Sequence, residues 1–180
     1  MDCIKADLEK VDNYLAFDLD LDKKLSKEII KFLNAPSKKI RSKICILYLR
    51  ASKMYLLPEH YELLASVELL HNASLIHDDV IDGGKIRRNL KTLNEKFDGQ
   101  LAVISGDYLL GIALKKLIKI GSLEILDIFA QTLQTMCKGE VSQYFDKYKK
   151  IRIQHCLNKF SCGTNQRQLL SSLRSLSAVF

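Results

Sequence analysis

The chain has 180 residues, 47% hydrophobic and 27% charged, with a formal net charge of +7. Such a chain can bury a sizeable core, and no apolar run approaches the ~18 residues of a membrane span, so no transmembrane helix is expected. Five scattered cysteines (Cys3, Cys45, Cys137, Cys156 and Cys162) show neither metal-ligand spacing nor a disulfide framework. With Asp2, Lys5 and Asp7 interrupting the first turns, no signal peptide opens the chain, and the expected location is cytoplasmic. The positive charge suits nucleic acid, an anionic membrane or a phosphorylated metabolite without choosing among them.

Only 8 Gly and 2 Pro punctuate the chain, and the apolar residues follow the helical period almost throughout. Residues 3–17 and 22–34 read as amphipathic helices, and Ala35-Pro36-Ser37 breaks the pattern. A third helical segment covers about 40–56. Pro58 and Glu59 suit the first turn of a long helix over about 58–82, apolar on more than one side. Gly83-Gly84 ends it, and a polar loop runs to Asp98-Gly99. Two further long helices are expected at 100–120 and 122–147, then a basic link and a short helix near 153–160. After position 159 the only basic residues are Arg167 and Arg174, while Leu169, Leu173, Leu176 and Phe180 keep a helical spacing. The expectation is an all-α helical bundle over residues 1–160 followed by an atypical tail, 161–180.

One stretch concentrates chemistry: LIHDDVIDGGKIRR, residues 75–88. Asp78 and Asp82 are four apart, so their Cβ atoms share a helix face at roughly 5–6 Å, with Asp79 about one position round. Like charges so placed repel, and a hard divalent cation relieves the conflict. Mg²⁺ takes oxygen ligands and commonly combines one or two carboxylates with water and substrate phosphates. A helix end facing water could carry the same acids with no metal. Arg87 and Arg88 follow the glycine turn as donors for phosphate oxygens, or as a solvated loop. Lys38 and Arg41, three apart, would share one face at a helix start, where exposed N–H groups also favour an anion. His71 lies two turns before Asp78 on the same helix. Together these groups suggest two diphosphates around Mg²⁺ above an apolar pocket.

These residues resemble the trans-prenyltransferases, or polyprenyl diphosphate synthases. HDDVIDGGKIRRN resembles the first aspartate-rich motif of that family with its arginine pair. SKKIRSK resembles a worn GGKRLRP element, KTLNEKFDGQLAVISGDYLL at 91–110 the segment that follows the acids, and Gly139-Glu140-Val141-Ser142-Gln143 the GE-x-x-Q helix. The resemblance runs from about residue 37 to 160 and implies the helical bundle of the isoprenoid synthase type. It implies that Asp78, Asp79 and Asp82 bind Mg²⁺ and carry the catalytic role, and that Arg87 helps hold an allylic prenyl diphosphate. Lys38, Arg41, His71 and Arg88 would bind the diphosphate of isopentenyl diphosphate. The implied reaction is head-to-tail condensation of the two substrates. Bulk just upstream of the acids sets product length in that family; here Ala73 and Ser74 are both small, which implies a long-chain, polyprenyl product. Homodimer formation, or a partner synthase subunit, is the expected assembly.

Two features depart from the family pattern. Nothing like DDxxD follows position 82, and Gly163-Thr164 stands where a Lys-Thr pair is expected. The alternatives are therefore an inactive, truncated synthase whose tail comes from a shifted reading frame, or a non-catalytic helical partner of a full-length synthase. The lysines are dispersed and no nucleic-acid recognition module is present, so nucleic acid is not an expected partner.

Overall fold

The long apolar segment ahead of the acids is the element around which the first part of the molecule is arranged. The structure is a computed structural model and describes residues 2–146. It contains α1 (Asp2–Leu15), α2 (Lys23–Leu33), α3 (Ile40–Ala51) and α4 (Pro58–Ile81). A two-stranded hairpin, β1 (Ile86–Arg87) and β2 (Leu90–Lys91), is followed by α5 (Leu93–Lys96), α6 (Gly99–Ile120) and α7 (Leu123–Asp146). The described residues form two units, one ending at Gly121 and one beginning at Ser122. The all-α expectation holds. The expected helix at 153–160 and the expected boundary near 160 lie outside the described residues.

In the first unit α4 is the core helix: Leu64, Ala65, Leu69, Leu70 and Ile76 are almost fully buried. It pairs with α6 in antiparallel fashion. Gly99 lies against Val80, Gly106 against His77, and Lys116 Nζ meets Glu62 Oε1 at 3.1 Å. Small residues on α6 (Ala102, Ser105, Gly106, Ala113) allow this approach, and a Cβ at position 106 would overlap the His77 ring. Helix α1 is tied in through buried Asp7, whose carboxylate accepts from Tyr61 Oη at 2.8 Å and Arg50 Nε at 2.7 Å. The Asp22 carboxylate caps α2, accepting from Lys24 N and Leu25 N.

Two expectations change locally. Helix α3 stops at Ala51, short of residue 56; Lys53 takes a left-handed φ of 56° and Leu57, preceding Pro58, is extended. The clash of a proline ring with the preceding residue disfavours helix there. The loop expected over 85–98 contains the hairpin and α5, because Thr92 N and Oγ1 bond to Lys85 O and Gly84 O and fold it back.

The second unit is described only through α7. Ile125, Phe129 and Thr132 are its buried face, while Val141, Tyr144 and Phe145 are exposed. No helix among the described residues is long and apolar enough to cross a membrane.

Candidate diphosphate and metal site

Helix α4 ends in a Schellman motif: Gly84 N donates to Asp79 O (2.8 Å) and Gly83 N to Val80 O (3.3 Å), with Gly83 at φ 63°. Asp82 caps the helix and is exposed, Asp78 is half-buried, and Asp79 is buried. At Gly84 a Cβ would come within 3.1 Å of Asp79 Oδ1, so glycine lets the chain turn close over that carboxylate. The turn then returns Arg87 to the acid. Arg87 Nε donates to both Asp79 oxygens at 2.9 Å, and its NH2 reaches Oδ1 at 2.8 Å. That bond to Asp79, outweighing burial, raises the Arg87 pKa further. The acid and the arginine expected to face metal and allylic diphosphate are thus bound to each other.

Arg88 and Asn89 connect the strands with positive φ at both positions (50° and 62°), as in a type I′ hairpin. A left-handed arginine costs about 1–2 kcal/mol, and such strain persists where surrounding contacts hold it. Here Arg88 NH1 donates to Asn72 Oδ1 at 3.4 Å, and its guanidinium lies 5.9 Å from the Phe32 ring centroid.

The basic loop before α3 meets the same region. Lys39, not Lys38, is the inward residue: it caps α3 in a left-handed conformation, is half-buried and pairs with Asp12. Since α3 begins only at Ile40, exposed Lys38 precedes the helix and does not share a helical face with Arg41, as the spacing had suggested. Burial lowers the pKa of Arg41 and of Arg88, and the charge of Glu68 opposes the loss in both. Burial, then the charges of Arg41, Arg88 and Arg87, push His71 down to about 4, so its imidazole is neutral at neutral pH. Arg41, His71, Arg87 and Arg88, 47 residues apart at the extremes of the chain numbering, therefore share one electrostatic neighbourhood.

Ala73 is 2% exposed, and half-buried Ser74 donates its hydroxyl to His71 O at 2.9 Å. A cavity of about 750 Å³ lies beside the basic loop, lined by Leu15, Phe17, Ile30, Leu33, Pro36 and Lys39 among others; neither Ala73 nor Ser74 lines it. On α7, Gln143 Nε2 donates to Glu140 Oε1 at 3.3 Å.

Linear spacing missed Lys39, Ser42, Glu68 and Asn72. One signal was available: Glu68 is an acid inside the apolar run Leu63–Leu70, one turn before His71. Among the described residues no group of three or more His, Cys, Asp and Glu side chains is gathered for a metal. With Asp79 on Arg87, the other two carboxylates at the end of α4 are those of Asp78 and Asp82. Two hard oxygen donors fit Mg²⁺ when phosphate and water complete its shell.

The family described as polyprenyl synthetase matches the chain over residues 22–171. A heptaprenyl diphosphate synthase component 2 from Geobacillus stearothermophilus is 34% identical over 125 residues, 69% of this chain and 39% of that protein. Among solved structures, a heptaprenyl diphosphate synthase from Staphylococcus aureus superposes with a TM-score of 0.82 at 23% identity, covering 98% of this chain and 56% of that one. A polyprenyl synthase from Caulobacter crescentus, complexed with calcium and isoprenyl diphosphate, gives a TM-score of 0.68 at 25% identity, covering 78% and 43%. The chain thus spans about half or less of the length of these proteins, and the helical fold is that of the isoprenoid synthases.

Proposed function

Because this chain belongs to the polyprenyl synthetase family, we propose that its α4 end and basic cluster form a prenyl diphosphate site for head-to-tail condensation of isopentenyl diphosphate with an allylic diphosphate. The carrying observation is that Arg41, Arg87 and Arg88 all act on the charge of His71, while Arg87 is also bound to Asp79 at the end of α4. In this reading Asp78 and Asp82 hold Mg²⁺, which when bound neutralises the leaving diphosphate. Asp79 acts by holding Arg87, whose guanidinium is then oriented towards the allylic diphosphate. Arg41 and Arg88, with Lys38 and Lys39 beside them, take the diphosphate of isopentenyl diphosphate. Neutral His71 donates a hydrogen bond there without repelling the arginines. The allylic carbon–oxygen bond breaks, the isopentenyl double bond attacks that carbon, and a proton is lost. Ala73 and Ser74, small side chains just ahead of the acids, are the positions this reading gives to product length, with a long-chain product, and the reaction belongs to the cytoplasm.

Calorimetric titration of the 180-residue chain with a bisphosphonate, with and without Mg²⁺, tests the reading. We expect Mg²⁺-dependent binding that Asp78→Ala weakens at least about tenfold, or about 1.4 kcal/mol. Absence of Mg²⁺-dependent heat from the unsubstituted chain would sink it. A second reading, a helical partner subunit, is favoured by the name of the Geobacillus relative, a component 2. Binding only in the presence of a full-length synthase would select that reading.

A further inference from the structure

Glu68 has no part in the chemistry above, yet it is the acid within the basic cluster. It is 5% exposed on α4, and its Oε1 accepts from Ser42 Oγ at 2.7 Å. Its main-chain carbonyl accepts from Asn72 Nδ2 at 2.8 Å, and Asn72 Oδ1 in turn accepts from Arg88. Ser42 immediately follows Arg41, whose buried Nε has no hydrogen-bond acceptor among the described residues. Lys39, Arg41 and Arg88 each lose solvation by burial, and the charge of Glu68 opposes this loss in all three, beside the ion pair that Lys39 makes with half-exposed Asp12.

Three cations drawn together out of water repel one another unless an anion lies among them. A ligand diphosphate would be such an anion, and between ligands the protein must supply its own. Ser42 fixes one Glu68 oxygen, and a carboxylate retains further acceptor capacity beyond that bond. A diphosphate entering the cluster therefore meets cations already partly neutralised, together with a like charge.

We propose that Glu68 is the resident counter-anion of the Lys39–Arg41–Arg88 cluster, a positioning residue that holds these cations together between ligands and weakens the hold on a bound diphosphate. The inference rests on the diphosphate reading for its ligand. Its consequence is that the diphosphate of an elongated product can leave the cluster after each condensation.

Melting and calorimetry with inorganic diphosphate, on the full 180-residue chain and its Glu68→Gln, Arg41→Gln and double variants, test this. Glutamine keeps the acceptor for Ser42 and removes only the charge. We expect Glu68→Gln to melt at a lower temperature without ligand yet to bind diphosphate about tenfold more tightly. A merely structural role predicts the opposite sign for binding. Equal or weaker binding by Glu68→Gln, or melting unchanged from the parent, overturns the proposal. The double variant should recover much of the lost melting temperature, since removing one cation restores the balance; strictly additive losses also overturn it. Should Glu68→Gln fail to fold, recovery of folding in the double variant supports the counter-anion, and its failure to recover counts against it. A parent chain that binds no diphosphate overturns the diphosphate reading instead, while the melting cycle still decides the role of Glu68.

Discussion

Arg87 and Asp79, eight residues apart, hold one another through contacts of 2.8–2.9 Å across the glycine turn that ends α4. The pair divides the three acids into two kinds. Buried Asp79 holds an arginine, while Asp78 and Asp82 are the carboxylates to which the proposed reading gives the cation.

Replacing Asp79 with Asn should therefore act on stability. It keeps the shape but removes the charge from a fork-shaped guanidinium that is itself partly buried. We expect a loss of about 1–3 kcal/mol, read from urea unfolding. Asp82→Asn, at an exposed cap, should change stability by less than about 0.5 kcal/mol. Equal effects of the two would contradict the division.

His71 carries a pH prediction. Its native pKa is pushed down to about 4 by burial and by Arg41, Arg88 and Arg87, against 6.5 for a free histidine. As pH falls below 6.5 the unfolded chain takes up the proton first, so the native state loses stability from there down to about pH 4. The contribution is about 2–3 kcal/mol at neutral pH. Stability measured from pH 7 to 4 should fall less steeply for His71→Asn than for the parent, and parallel curves would show that His71 titrates normally.

Asp7 links α1, α3 and α4 by accepting from Tyr61 and Arg50. Asp7→Ala removes the acceptor of the buried Tyr61 phenol, and about 1–3 kcal/mol should be lost. The Tyr61 phenol is pushed up to about 12, first by burial and then by its bond to Asp7 and that residue's charge. Ultraviolet titration of the variant should find a lower value still above 10, because burial persists. A value unmoved from the parent's would show that Asp7 does not act on Tyr61.

Ala73 tests product length. At 2% exposure it is enclosed in the core, so Ala73→Phe adds a large ring to packed surroundings. We expect a stability cost of about 1–3 kcal/mol, and shorter products wherever the chain acts in an active synthase. An unchanged product ladder would remove Ala73 as a length determinant.

The helices were legible because their information is local. Apolar residues recur with the helical period, few Gly and Pro interrupt them, and Gly83-Gly84 marks the end of α4. The acids and arginines stood out for the same reason, being packed into fourteen consecutive residues, LIHDDVIDGGKIRR. The hairpin was not legible: its turn is Arg88-Asn89 and lacks the usual Asn-Gly signal, and four-residue α5 is too short to show a period.

What the sequence by itself determined is which residue types stand at the end of α4 and in the loop before α3. Only the tertiary structure decided their partners. Asp79 turns to Arg87 because Gly84 lets the chain fold over it, Lys39 replaces Lys38 because α3 begins at Ile40 with Lys39 as its cap and Lys38 outside the helix, and Glu68 meets Ser42, which the fold brings to it from 26 residues away. Spacing along a chain carries the period of a helix. It does not carry which charge is buried or which opposite charge lies beside it, since these depend on segments that meet only after folding.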